Sequence, residues 1–325
     1  MSTAAPAVKL PVRGRLSPDG LREHGPVVVL LVVLFVANII EQPALWDVTQ
    51  IGLLLQTALP LMFVGLAQTL VIIIGGLDLS VGGTLVLGSA VSAQYLDGSS
   101  GGLVILATVL IGAGLLNGVL VTYGRFAPFI VTFATWSIFN GIGLQILPQD
   151  GGVVPTWLIT LVTGETVGLP NAYLIVAASL LFWWHLRRTS FGRDMFAIGS
   201  DDERARLNGI RIKRVRVAVF VLSAVLAGIG GVLLAGTTST GQPTVGDAYI
   251  LQSIAAVVIG GTALSGGRGG YGLTLIGVLI LTLIATLVQS LNLDSWVTVG
   301  ASSLLLLVVV AARSLVSREG EGRLA

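Results

Sequence analysis

The chain has 325 residues, of which 54% are hydrophobic and only 10% charged, and its mean hydropathy is +0.93. A soluble domain carries about a quarter charged residues, so this composition excludes a water-facing globule. The net charge is +2, and the absence of cysteine excludes disulfides, thiolate catalysis and zinc–cysteine sites.

Ten apolar segments follow in chain order, at about 26–40, 50–74, 82–96, 102–122, 128–147, 171–186, 215–235, 251–264, 273–290 and 296–312. Long apolar runs parted by short polar ones indicate an all-α polytopic membrane protein with about ten transmembrane or re-entrant helices. A perpendicular span needs about 20 residues, so the short segments at 82–96 and 251–264 are predicted to be re-entrant or broken. The 43 glycines suit this class, because small residues let membrane helices approach closely; Gly114 and Gly118 form one small-xxx-small pair. Residues 1–25 carry Lys9, Arg13, Arg15 and Arg22 but no small-residue cleavage site follows. They read as a cytoplasmic, disordered lead before a retained span. The membrane domain then covers 26–312, its largest polar insert is 187–214, and 313–325 is a cytoplasmic tail.

Charge placement gives the topology. With the N-terminus inside and all ten segments crossing, the outer loops are 41–49, 97–101, 148–170, 236–250 and 291–295. All 18 Lys and Arg residues then lie inside or at inner segment ends. The outer loops hold only acids: Glu41, Asp47, Asp97, Asp150, Glu165, Asp247 and Asp294. That is the positive-inside pattern, and it accounts for the basic pI of 9.2 without nucleic acid as a partner.

Motifs for enzymes are tested and fail. Gly267 to Gly272 matches G-x-G-x-x-G but follows a membrane segment instead of a strand, and Gly98 to Gly102 matches G-x-S-x-G without a histidine partner. Both are expected to be products of a glycine-rich chain. Neither lysine, Lys9 or Lys213, lies in a phosphate-binding loop. If ATP drives this protein, another chain binds it. The histidines, His24 and His185, stand apart and suggest no metal site.

Three stretches carry chemistry. In GGLDLSVGG, residues 75–83, the glycine pair ends an apolar run, and Asp78 or Ser80 is placed to cap a new helix. A carboxylate at this depth is costly and usually functional. In FIVTFATWSIFNG, residues 129–141, Phe129, Phe133, Trp136 and Asn140 share one helical face, as ordinary packing or as the wall of a pathway. Gln56, Gln68 and Gln252 are further polar candidates. In GSDDERARLNG, residues 199–209, Ser200 and Glu203 form a capping box, Asp201, Asp202 and Glu203 fill the positive end of the helix dipole, and Gly209 suits the position after the helix. A helix of about eight residues is marginal alone. It is either a solvated loop or a docking element.

GGLDLSVG, TSFGRDMFAIGSDDERARLNGIRIKRV, AVLAGIGGVLLAG and SIAAVVIGGTALSGGRGG, in this order between about residues 50 and 312, resemble the permease subunits of ribose-type ABC sugar importers. The resemblance implies the permease fold and import of a monosaccharide or related small polar solute by alternating access. Nucleosides, autoinducer-2 or branched-chain amino acids are the alternatives within the class. An ion-coupled secondary transporter is the alternative outside it; it would need membrane relay groups, and apart from Asp78 the spans are almost free of them. The resemblance implies no cofactor in this chain, since ATP and magnesium would bind a partner ATPase. It also implies an extracytoplasmic solute-binding protein, and a second permease as homodimer or paralogous heterodimer in a bacterial inner membrane. It assigns Ser200, Asp201, Asp202, Glu203, Arg204, Arg206, Leu207, Asn208 and Gly209 to a coupling segment docked on the ATPase. It leaves Asp78 a cap, a gate or inter-subunit contact, or a solute contact. Acids near the start of the eighth segment in many relatives are replaced here by Ile250, Leu251 and Gln252.

The charge map is checked by reporter fusions: a fusion at Asp150 is expected outside and one at Arg204 inside. The same compartment for both would overturn the map.

Overall fold

The computed structural model describes residues 18–96, 100–292, 294, 296–297, 300 and 303–304. The lead before residue 18, most of the last apolar segment and the tail from 313 lie outside the described residues.

Apolar runs become α1 (Pro18–Glu41), α2 (Val48–Ile73), α3 (Ser80–Tyr95), α4 (Ser100–Thr122), α5 (Pro128–Ile146), α7 (Asn171–Leu186), α10 (Ile212–Thr238), α11 (Gly246–Gly260) and α12 (Tyr271–Ser290). A 3₁₀ turn at Pro43–Trp46 links α1 to α2, where Asp47 caps the new helix by accepting from Thr49 N at 2.7 Å. Helices α2, α4, α5, α10 and α12 are long and apolar enough to cross a membrane. The protein is an all-α polytopic membrane protein. Helix α10 packs against α2, α3 and α4, α3 lies between α10 and α5, and α11 pairs with α12.

Two expected loops contain structure. The stretch 148–170 folds into α6 (Thr156–Thr163) and a two-residue hairpin of β1 (Glu165–Thr166) and β2 (Leu169–Pro170). Leu158 and Val162 of α6 are buried, and Val162 packs where Gly236 of α10 has no side chain. The stretch 187–214 contains α8 (Ser190–Ser200) and α9 (Asp202–Leu207). Thr189 caps α8 by accepting from Gly192 N at 3.1 Å, and α8 buries Met195 and Ile198. The expected eighth segment also starts earlier, at Gly246, because that glycine lies against the backbone of Gly82 inside the bundle.

Helix α3 is buried along nearly its whole length, and glycine makes this possible. A Cβ on Gly88 would lie 2.9 Å from Gly228 Cα and overlap the Gly228 carbonyl, and one on Gly231 would overlap that of Leu85. Backbones touch here, which favours dispersion contact in a setting where lipid supplies no hydrophobic drive between helices. Polar side chains add cross-helix bonds: Thr69 to Thr274 at 2.7 Å, Tyr271 to Ser179 at 3.0 Å, and Asn38 Nδ2 donating to Leu283 O at 3.1 Å.

The described Lys and Arg residues from Arg125 to Arg268 cluster at one end. Every Lys and Arg in that range flanks the end where Ile73, Gly199 and Gly267 meet, here called the basic end.

Gly88→Val is expected to lower stability by at least about 1–3 kcal/mol, because the obstructing atoms are backbone. Gly141→Ala, with nothing within 4 Å of its Cβ position, should leave stability unchanged or raised. Thermal unfolding of the purified protein measures both; equal melting temperatures would refute the close-packing account.

Candidate functional site

The break between α2 and α3 leaves backbone groups that lipid cannot satisfy, and several are met internally. Gly75 takes a positive φ of 76° and donates to Ile72 O at 2.9 Å, while Gly76 N donates to Val71 O at 3.0 Å. This is the Schellman ending of a helix. Ile73 O accepts from Gly267 N at 2.9 Å, and Leu79 N donates to Thr132 Oγ1 of α5 at 3.1 Å.

Asp78 completes the set. Its Oδ1 accepts from Ser80 N at 2.9 Å and Ser80 Oγ at 2.6 Å, and its Oδ2 accepts from Ser223 Oγ of α10 at 3.0 Å. Asn117 Nδ2 of α4 donates to Ser80 Oγ at 2.7 Å. Three helices are thus tied at one carboxylate that is 1% exposed and has no cation partner among the described residues. The capping expectation is corrected in detail. Ser80 is the first residue of α3, Leu79 holds the cap position without a side-chain bond, and Asp78 supplies the acceptor from one residue earlier. Ser80 instead relays the network to α4.

The aromatic face lies elsewhere. Phe129 and Phe133 stack with centroids 6.3 Å apart, and Phe133 and Trp136 follow at 5.3 Å. Phe129 is 54% and Phe133 51% exposed, so they form a surface ladder and not core packing. Trp136 Nε1 and Asn140 Nδ2 both point to Asp247 Oδ1, at 3.2 and 3.4 Å. Asp247 was assigned to an outer loop by sequence. It lies in the first turn of α11, beside the middle of α5, where the helix dipole favours a carboxylate. The segment therefore does begin with an acid, correcting the expectation drawn from Ile250, Leu251 and Gln252. The signal that could have found it was a glycine–acid pair, Gly246-Asp247, in a helix-starting position.

The glutamines do not join this face. Gln68 is fully buried and neither of its amide atoms has a partner among the described residues, and Gln56 is half-buried in α2. Gln252 lines a separate cavity of about 370 Å³ with Gln42, Gln50 and Gln289, among neutral hydroxyls and amides.

At the basic end, Asp201 caps α9, accepting from Arg204 N at 3.0 Å. The expected capping box is therefore corrected. Ser200 ends α8 and donates to Phe196 O at 2.8 Å, while Glu203 pairs with Arg206 and holds its guanidinium above the ordinary pKa. Helix α9 is six residues long and not eight, because α8 takes the preceding turn. Gly209 has φ 80° and donates to Arg206 O at 3.0 Å, with Ile210 N to Ala205 O at 3.1 Å, a second Schellman ending. Asp202 pairs with Arg216 of α10, and Asn208 Nδ2 donates to Arg204 O. Leu207 is left 77% exposed at the tip. A Cβ on Gly199 would overlap Ile73 O and lie 2.6 Å from Gly267 N, and one on Gly266 would lie 2.9 Å from Gly75 N. The end of α8 thus rests on the loop before α12, which rests on the break. Two glycines of the G-x-G-x-x-G match, Gly267 and Gly269, and Gly270 beside them all take positive φ here, a structural reason for glycine at these positions.

A polytopic bundle with an interrupted helix, a polar face beside the middle of α5 and a capped short helix at its basic end has the architecture of a membrane transport subunit. The chain matches, over residues 50–312, the family described as branched-chain amino acid transport system / permease component, and it belongs to that family. It is 39% identical to the ribose import permease protein of Bacillus subtilis (strain 168), covering 91% of each chain. It is 31% identical to the fructose import permease protein of Rhizobium meliloti, over 88% of this chain and 83% of that one. With the ribose import permease protein of Escherichia coli (strain K12) it shares 31% identity over 89% of this chain and 93% of that one. No solved structure gives a significant match.

Asp78→Asn keeps Oδ1 as an acceptor for Ser80 and is expected to assemble normally. Asp78→Leu strands three buried donor bonds, each costing about 1–3 kcal/mol, and should lose folded protein from the membrane. Membrane abundance and thermal unfolding report both, and similar values for Leu and wild type would refute the network's role.

Proposed function

We propose that this chain is the transmembrane permease subunit of an ATP-driven ABC importer for a monosaccharide or closely related polyol. It forms the translocation pathway by alternating access, in a bacterial inner membrane with both termini cytoplasmic. It works with an ABC ATPase that binds ATP and magnesium, an extracytoplasmic solute-binding protein and a second permease, itself or a paralogue. The names of the relatives support the solute class.

The face of exposed Phe133 and Asp247, with Trp136 and Asn140 half-buried between them, carries the proposal. A carboxylate and an amide at mid-depth are costly against hydrocarbon, so this face belongs against water, solute or a second permease. A ring stacks on the apolar face of a sugar, while Asn140 and Asp247 meet hydroxyls. Every Lys and Arg between Arg125 and Arg268 flanks the basic end, so among the described residues this face offers no cation for an amino acid's carboxylate. That weighs against the branched-chain substrates of the family description. Asp78 and Ser80, sealed beneath, act as the hinge of the pathway and not as solute contacts. Leu207 is the apolar anchor that enters the ATPase groove, on a helix held by its own caps.

Trp136→Ala and Asp247→Asn are expected to lower uptake of labelled monosaccharides by roughly tenfold or more at unchanged membrane abundance. Leu207→Asp and Gly209→Val should leave the chain inserted but lower ATPase stimulation by loaded binding protein. Uptake that persists without the ATPase would return the secondary-transporter alternative, and normal stimulation in both tip variants would reduce α9 to a solvated loop.

A further inference from the structure

The face made by α4, α7 and α10 at the basic end has a second feature. A groove of about 900 Å³ runs along it, lined by Leu115, Val119, Phe182, Val217 and Val221 with almost no polar surface. Beside it lies a cleft of about 830 Å³, lined by Arg125, Arg211, Lys213 and Arg214. Tyr123 and Arg214 line both, so the apolar tract opens directly into the basic one.

The charges in the cleft are unbalanced. Arg206 and Arg216 also line it, but they are paired with Glu203 and Asp202. Arg125, Arg211, Lys213 and Arg214 have no carboxylate partner among the described residues. Lys213 Nζ lies 5.2 Å from the centre of the Tyr123 ring, a contact that orients the cation without neutralising it. Four unpaired cations around one cleft favour an anion.

The level and length of the site decide which anion. Tyr123 and Phe126 are more than half exposed, and just past α7 Arg188 lies 3.8 Å over the ring of Trp184. Exposed aromatics beside cations mark the headgroup level of a bilayer. From Tyr123 the groove runs along α4 to Ile111, twelve residues, or about 18 Å at 1.5 Å per residue. One leaflet of the hydrocarbon core is about 15 Å deep. A free phosphate would leave the apolar tract uncovered, and a zwitterionic lipid would leave the cations unbalanced. We propose that this face is a binding site for one anionic phospholipid. Its phosphate and headgroup are held by Lys213, Arg214 and Arg125, and an acyl chain lies in the groove between α4 and α10. The site touches the start of α10 and the base of α9, so its occupancy would steady the segment proposed to dock the ATPase.

The test uses native mass spectrometry of the full purified chain, titrated with phosphatidylglycerol or with phosphatidylcholine of the same acyl chains. The wild type is expected to retain one phosphatidylglycerol with a preference of roughly tenfold or more, since each Lys or Arg near an anionic lipid adds measurably to binding. Lys213→Gln with Arg214→Gln should remove the preference while leaving phosphatidylcholine binding unchanged. Ala218→Trp, which fills the groove, should weaken both lipids. Thermal unfolding of the wild type gives a readout independent of the variants, since phosphatidylglycerol should raise the melting temperature more than phosphatidylcholine. Equal retention of the two lipids, or an unchanged preference in the double variant, would overturn the proposal. So would inorganic phosphate binding that Ala218→Trp leaves intact, which would mean an anion cleft without an acyl tract. Displacement of the retained lipid by stoichiometric purified ATPase would also overturn it, by making this a protein-docking face.

Discussion

Backbone polar groups inside a membrane must find partners without water, and the interruption between α2 and α3 is where that constraint presses hardest. Six residues between Ile73 and Ser80 lie outside the two helices. Their survival needs a Schellman turn at Gly75 and Gly76, a hydroxyl from Thr132 and the carboxylate of Asp78. Because the donors come from α4, α5 and α10, the break can exist only in the assembled bundle. It is a junction of the fold as much as a flaw in one helix.

Glycine is the second half of that junction. The buried short helix α3 reaches its neighbours because Gly82, Gly88, Gly228 and Gly231 let backbones touch. On the basic side, Gly199, Gly266 and Gly267 do the same for α8 and the loop before α12. A displacement of α9 therefore meets few soft side chains before it reaches Gly75. Packed backbone is stiff and transmits strain, a property that the proposed coupling role would use.

The distribution of polar groups separates roles. Asp78 is enclosed and matched to three donors, as a structural carboxylate must be. Asp247 is exposed, shared by an indole and an amide, and positioned at a helix N-terminus. One acid stabilises the scaffold, and the other lies on the face proposed to meet the solute.

Composition, apolar periodicity and the bias of Lys and Arg were enough to establish from the sequence an all-α membrane bundle, nearly all its described spans, and the glycine stop at Gly209. These are local properties, set by one segment's transfer into lipid or by one residue's backbone freedom. The four phrases that carried the family resemblance are likewise read along the chain. What sequence could not supply depended on residues distant in the chain. Asp247 looked like a loop acid until α11 was found to begin beside Gly82, and Trp136 and Asn140 of α5 were found on its carboxylate. Ser200 looked like a cap until α8 claimed it, leaving Asp201 to take the cap. Gln68 looked like a pathway residue until packing buried it. In each case the short-range pattern allowed two assignments of similar energy, and only contacts more than 40 residues away, or a neighbouring helix competing for the same residue, decided between them.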